Sequence, residues 1–257
     1  MTSNIVRIAS LLLASAVALV AVTWAQPAHP PAACSNATVI GNYGISFGGI
    51  DRHGNTTVTV DQITTDGNGS FTGHETQSKG GVILNSIPVV GTYAIKANCT
   101  GSGTWMAMGK IRHYDLVVVS GGSSLELVQT DAGRIESGLA QAQGNATCTD
   151  AGVKGTYGFN ATGSIVSVGP VAFIGEFKLD GAGKIAGSES GSINGTIFKG
   201  IPLAGTYMVN SDCNGTATVT PKGQAAVNFN LVVIDAGTKT LAIETDSNTI
   251  VSGALQK

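Results

Sequence analysis

Hydrophobic and polar positions alternate along most of this chain with a period of two. Thr57-Val58-Thr59-Val60-Asp61-Gln62-Ile63 is one such run; Phe229, Leu231 and Val233 share one face while Asn228 and Asn230 share the other. Successive side chains of a strand point to opposite faces, so this period predicts half-buried strands, not helices. Turn signals separate the runs at Asp66-Gly67, Asn68-Gly69, Asp180-Gly181, Asn194-Gly195, Asn214-Gly215 and Asp235-Ala-Gly237. Asn and Gly tolerate the positive φ of tight hairpins. No stretch after residue 25 carries a helical stripe. The pattern predicts strands near 42–49, 56–63, 69–76, 81–86, 91–98, 102–109, 113–119 and 124–130, with a tail at 134–139.

The pattern then repeats. Cys34 and Cys99 recur at an offset of 114 as Cys148 and Cys213. Gly41-Asn-Tyr43-Gly44 returns as Gly155-Thr-Tyr157-Gly158, and Pro88-Val-Val-Gly91-Thr92-Tyr93 as Pro202-Leu-Ala-Gly205-Thr206-Tyr207. Residues 34–143 and 144–257 are therefore two copies of one module, each of about 110 residues, joined by a short polar segment that leads the copies to pack on each other. About eight short strands in such a module predict an all-β fold of two tandem antiparallel up-and-down barrels, since closure removes exposed strand edges. A pair of β-sandwiches is the alternative.

Residues 1–25 read as a secretory signal peptide: Arg7, an apolar run from Ile8 to Val22, then Thr23-Trp24-Ala25. The run is about 15 residues, short of the ~20 a spanning helix needs, so no transmembrane segment is expected in the mature chain. A proline-rich lead-in, 26–33, follows. A secreted or periplasmic location makes the four cysteines disulfides. Of three pairings, the repeat favours Cys34–Cys99 and Cys148–Cys213, because each copy must close the same way.

Charged residues make up 12% of the chain and its net charge is −2, with no basic stripe, so nucleic acid is not an expected partner. No Gly-x-Ser-x-Gly elbow, P-loop or His-Glu-x-x-His occurs, and neither a cofactor nor a metal is expected. Asp66-Gly-Asn68-Gly-Ser70 imitates the start of a calcium loop, but Phe71 and Gln77 stand where Gly and Glu would be required.

A module opening on cysteine, followed by Gly41-Asn-Tyr43 and a hairpin tip Gly69-Ser-Phe71-Thr-Gly73, resembles the calycin class of avidin-like and lipocalin-like barrels. Cys99-Thr-Gly101 and Val119-Ser-Gly121-Gly122 resemble allene-oxide-cyclase-like and dirigent-like barrels. The two-module layout resembles secreted proteins of soil bacteria. These resemblances imply architecture alone. The aromatic box of avidin-like proteins has no counterpart, and Tyr43 and Tyr157 stand where those families carry Trp.

The repeated tyrosines Tyr43, Tyr93, Tyr157 and Tyr207 are expected to pack their rings inside with a hydroxyl at the rim, and are also candidates for stacking a ligand. The repeated acids Glu75/Glu189 and Asp131/Asp246 are expected to accept from turn amides. His53, His74 and His113 occur in copy 1 only, opposite Ser167, Ser188 and Asn228. His113 and Asp115 share a strand face, opposite the core side of Tyr114, Leu116 and Val118. With His74 they are candidates for a ligand site. Arg52, Arg112 and Arg134 are likewise confined to copy 1.

These readings predict an exported, non-enzymatic barrel protein that binds a small molecule or glycan, or associates with the cell surface. An enzyme of cyclase or hydrolase type active in repeat 1 only is one alternative; a structural or adhesive assembly is another.

Overall fold

The computed structural model describes residues 33–144 and 147–257; the expected signal peptide, 1–25, and most of the proline-rich segment 26–33 lie outside them. The first barrel consists of β1 (Gly41–Asp51), β2 (Thr56–Thr65), β3 (Ser70–Lys79), β4 (Val82–Ile95), β5 (Thr100–Ala107), β6 (Lys110–Val119), β7 (Ser124–Gln129) and β8 (Arg134–Ala142). The second consists of β9 (Gly155–Ile165), β10 (Gly169–Leu179), β11 (Lys184–Ile193), β12 (Thr196–Val209), β13 (Asn214–Pro221), β14 (Val227–Ile234), β15 (Lys239–Glu244) and β16 (Thr249–Gln256). Both are closed antiparallel barrels in up-and-down order, β1 pairing with β8 and β9 with β16.

The number of strands per barrel agrees with the sequence pattern, but two assignments change. The strands expected at 81–86 and 91–98 are one 14-residue strand, β4, and the expected tail at 134–139 belongs to β8, which closes the barrel. A bulge between Glu75 and Gln77, with Ser86 at φ 53°, bends the β3–β4 pair without ending it. The second barrel repeats the bulge between Glu189 and Gly191. A bulge adds a residue and local twist, which a period-two pattern reads as a break.

Each barrel is tied at one end. Cys34–Cys99 and Cys148–Cys213 are bonded, with Cα atoms 5.0 and 4.9 Å apart. The segment after the first cysteine plugs that end through Val39 in barrel 1 and Val153 in barrel 2, both about 2% exposed. Asn36 Oδ1 accepts from the Ile95 amide at 2.8 Å, and Asp150 Oδ1 accepts from the Val209 amide at 2.7 Å. Rings fill the barrel above the plug: Phe47, Phe71, Trp105 and Tyr114 in the first, Phe159, Phe177 and Phe229 in the second.

β2 departs from simple alternation because both of its faces are covered. Ile63 faces the interior, whereas Val58 and Val60 join Val232, Ile234, Leu241, Ile243 and Ile250 of barrel 2 in a separate apolar cluster. Gln62 Oε1 accepts from Asn214 Nδ2 at 2.8 Å, and Gln143 Nε2 donates to the Val233 carbonyl at 3.1 Å. The counterparts of these faces are charged: Glu176 stands for Gln62 and Glu126 for Leu241, and both are exposed.

Candidate ligand site at the mouth of the second barrel

The tyrosine hydroxyls serve the plugged end. Tyr43 donates to the Gly122 carbonyl at 2.6 Å, and the Tyr157 hydroxyl lies 2.9 Å from the Val153 carbonyl and 2.8 Å from that of Gly237. The hydroxyls of Tyr93 and Tyr207 accept from the Gly67 and Gly181 amides at 3.0 and 2.9 Å. The cavities beside the rings of Tyr43 and Tyr93 in barrel 1 and of Tyr207 in barrel 2 are ≈ 50 and ≈ 30 Å³, too small for an organic ligand.

His113 and Asp115 lie exposed on the outside of β6. Asp131 accepts from the His113 amide at 2.8 Å and meets its ring Nδ1 at 2.7 Å. Asp246 accepts from the Asn228 amide at 2.7 Å and from its side chain at 2.8 Å. His113 and Asn228 thus do the same work in the two copies, clamping the start of β6 or β14 to the turn before β8 or β16. His53 accepts from Arg52 Nε at 3.2 Å in the first hairpin. His74 stands on the outer face of β3 and lines an open polar groove of ≈ 310 Å³ with Asn210, Asp212 and Asn230. The three histidines occupy separate places, and no group of three or more His, Cys, Asp or Glu that could hold a metal exists among the described residues. The calcium-like turn is filled by its own backbone: Asp66 Oδ1 accepts from the amides of Asn68, Gly69 and Ser70 at 2.8–3.0 Å, and these bonds lower its pKa.

Polar chemistry lies at the opposite end, inside the mouths. Glu75 does not meet turn amides as the repeat pattern suggested. It is fully buried, accepts from Arg112 at 2.5 Å and from Gln77 Nε2 at 3.0 Å. Asp61 and Glu136 are buried with it, at 1% and 6% exposure. Burial pushes the Asp61 carboxyl well above its ordinary value, Glu75 pushes the same way, and Arg112 opposes them. Burial likewise raises Glu136. Charge fills the mouth of barrel 1.

The mouth of barrel 2 is built on the same register with different residues. Asp61 pairs with Glu75 across β2 and β3, and Gly175 pairs with Glu189 across β10 and β11. Arg112 faces Trp105, and Val227 faces Val219. Glu136 faces Gly49, and Val251 faces Gly163. Gln129 faces Tyr114, and Glu244 faces Phe229. One arginine and two acids have become apolar or glycine. The result is a cavity of ≈ 120 Å³ whose wall includes Phe159, Phe173, Phe177 and Phe229, with Glu189 and Glu244 reaching it. Both glutamates are 8% exposed. Burial raises the pKa of Glu189; burial and then Asp246 push Glu244 up to about 7, against a hydrogen bond from Thr249.

Neither glutamate was singled out as a ligand residue by the pattern of the chain. In the sequence Glu189 stands out only as a repeated acid, and Glu244 aligns with Gln129 only after the offset slips to 115. The signal available was the loss of inward charge at Gly175, Val227 and Val251 between copies.

A tandem pair of disulfide-closed, eight-stranded antiparallel barrels with an apolar, two-carboxyl mouth in the second copy defines the class of this protein. No protein-family model matches the chain, and no curated protein matches it in sequence.

Proposed function

We propose that this is an exported binding protein whose small-molecule site is the mouth of the second barrel, with the first barrel as its rigid partner. The observation that carries this reading is the ≈ 120 Å³ cavity walled by four phenylalanines. An apolar cavity of about 150 Å³ holds benzene, and this mouth, slightly smaller but open at one side, suits one small aromatic or branched aliphatic body. Two disulfides support a non-reducing location, and no described helix is long and apolar enough to cross a membrane. The contacts of β2 with β14, β15 and β16 support the two barrels acting as one body.

The test is a titration with a panel of small apolar and aromatic molecules, followed through the ring signals of Phe159, Phe173, Phe177 and Phe229 by nuclear magnetic resonance. Saturable shifts confined to these rings are expected. A panel that moves none of them, and leaves the melting temperature unchanged, overturns the reading.

A further inference from the structure

The repeat contains its own comparison. In barrel 1 the carboxylate of Glu75 holds a cation, the guanidinium of Arg112, inside the mouth at 2.5 Å. In barrel 2 the matching carboxylate is Glu189, the arginine position is Val227, and a second carboxyl, Glu244, replaces Gln129. The ion pairs among the described residues are Lys79–Asp51, Arg112–Glu75 and His113–Asp131, so no side-chain cation reaches Glu189 or Glu244. Glu189 is more than nine-tenths buried, makes no hydrogen bond with any described residue, and lines the cavity.

We propose that the second barrel's mouth takes an organic cation, a small ammonium or guanidinium compound with an apolar body, its charged head against Glu189 and Glu244 and its body among the phenylalanines. This rests on the binding reading above and specifies its ligand class. A buried carboxylate without a partner is costly, and a charge-assisted bond to a ligand cation offsets that cost, as Arg112 does for Glu75 in the sister barrel. A carboxylate ligand would meet two like charges and be rejected. The faces of Phe159 and Phe229 add a surface that attracts cations as well as apolar groups.

The experiment is calorimetric titration of the full chain, both disulfides formed, at about pH 8, where an alkylamine carries its proton. The probes are benzylamine, its neutral counterpart benzyl alcohol, and benzoate. Benzylamine is expected to bind at least about tenfold more tightly than benzyl alcohol, and benzoate not at all. Glu189→Gln should lower the amine's affinity towards that of the alcohol and so erase the margin between them. Val227→Arg, which restores the residue of the first barrel, should block the amine; circular dichroism checks its fold, and the amine-to-alcohol ratio of the unmutated protein stands without it. Equal binding of amine and alcohol, or tighter binding of benzoate, overturns the cation assignment and leaves the apolar site intact. Binding of none of the three overturns both.

Discussion

Arg112 and Val227 occupy the same register position in the two barrels, Arg112 opposite Trp105 on the β5–β6 ladder and Val227 opposite Val219 on the β13–β14 ladder. With Asp61 against Gly175 and Glu136 against Val251, that difference separates a mouth filled by an ion pair from one lined with rings. Removing Arg112 should therefore expose what it offsets. Arg112→Met leaves Glu75, Asp61 and Glu136 buried without a cation, and taking one partner from a buried pair costs about 3–5 kcal/mol. The deficit should be largest at neutral pH and shrink as the pH falls through the carboxyl range, since protonated carboxyls need no partner. Urea denaturation of both proteins across that range tests this; a deficit independent of pH would sink the account.

Glu244 should make stability fall as pH rises. Its carboxyl ionises near 4.5 when unperturbed and at about 7 in the fold. Below the first value both states hold the proton. Between the two, the unfolded chain releases it and the folded chain does not, so stability declines, and above the second the loss is complete. Glu244→Gln should flatten this decline and gain up to the order of 3 kcal/mol at alkaline pH. Melting temperatures of both proteins from acid to alkaline pH give the comparison.

His113 and Asn228 give interchangeable clamps to Asp131 and Asp246. His113→Asn should change stability by less than about 0.5 kcal/mol, whereas His113→Ala, losing the side-chain bond, should cost about 1 kcal/mol. A loss with Asn as large as with Ala would give the imidazole a role beyond the clamp.

Gly44 and Gly158 are the same glycine in the two copies, in different company. A Cβ on Gly44 would crowd Val232 Cγ1 at 2.8 Å and also meet Ile234, both in the other barrel, whereas a Cβ on Gly158 would meet only the Gln256 carbonyl at 3.8 Å. Gly44→Ala should lower the melting temperature while Gly158→Ala leaves it nearly unchanged. Equal effects would mean that the barrels do not lean on each other in solution.

Each disulfide closes a 65-residue loop and should contribute about 4 kcal/mol by restricting the unfolded chain. Cys34→Ala with Cys99→Ala, or Cys148→Ala with Cys213→Ala, should each cost that much in denaturant. Peptide mapping of the non-reduced protein should find no bridge between the copies.

The chain alone pointed to about eight antiparallel strands per copy, to a barrel ahead of a sandwich, and to a cysteine pairing within each copy, and the closed barrels and bridges agree with each. Those properties follow from local rules: alternation at Phe229, Leu231 and Val233, turn chemistry at Asp66-Gly67, and a duplication that makes both halves close alike. The fusion of two expected strands into β4 escaped it, because a bulge at Ser86 breaks the alternation without breaking the ladder. It also could not tell which polar residue on an inward face would be buried with what. Asp61, Glu75, Arg112 and Glu136 come from four strands and meet only when the sheet closes. Glu189 and Glu244 likewise line one cavity from β11 and β15, far apart in sequence. Periodicity assigns a face to each residue; closure decides which faces share an interior, and so where charge must be paired and where room is left for a ligand.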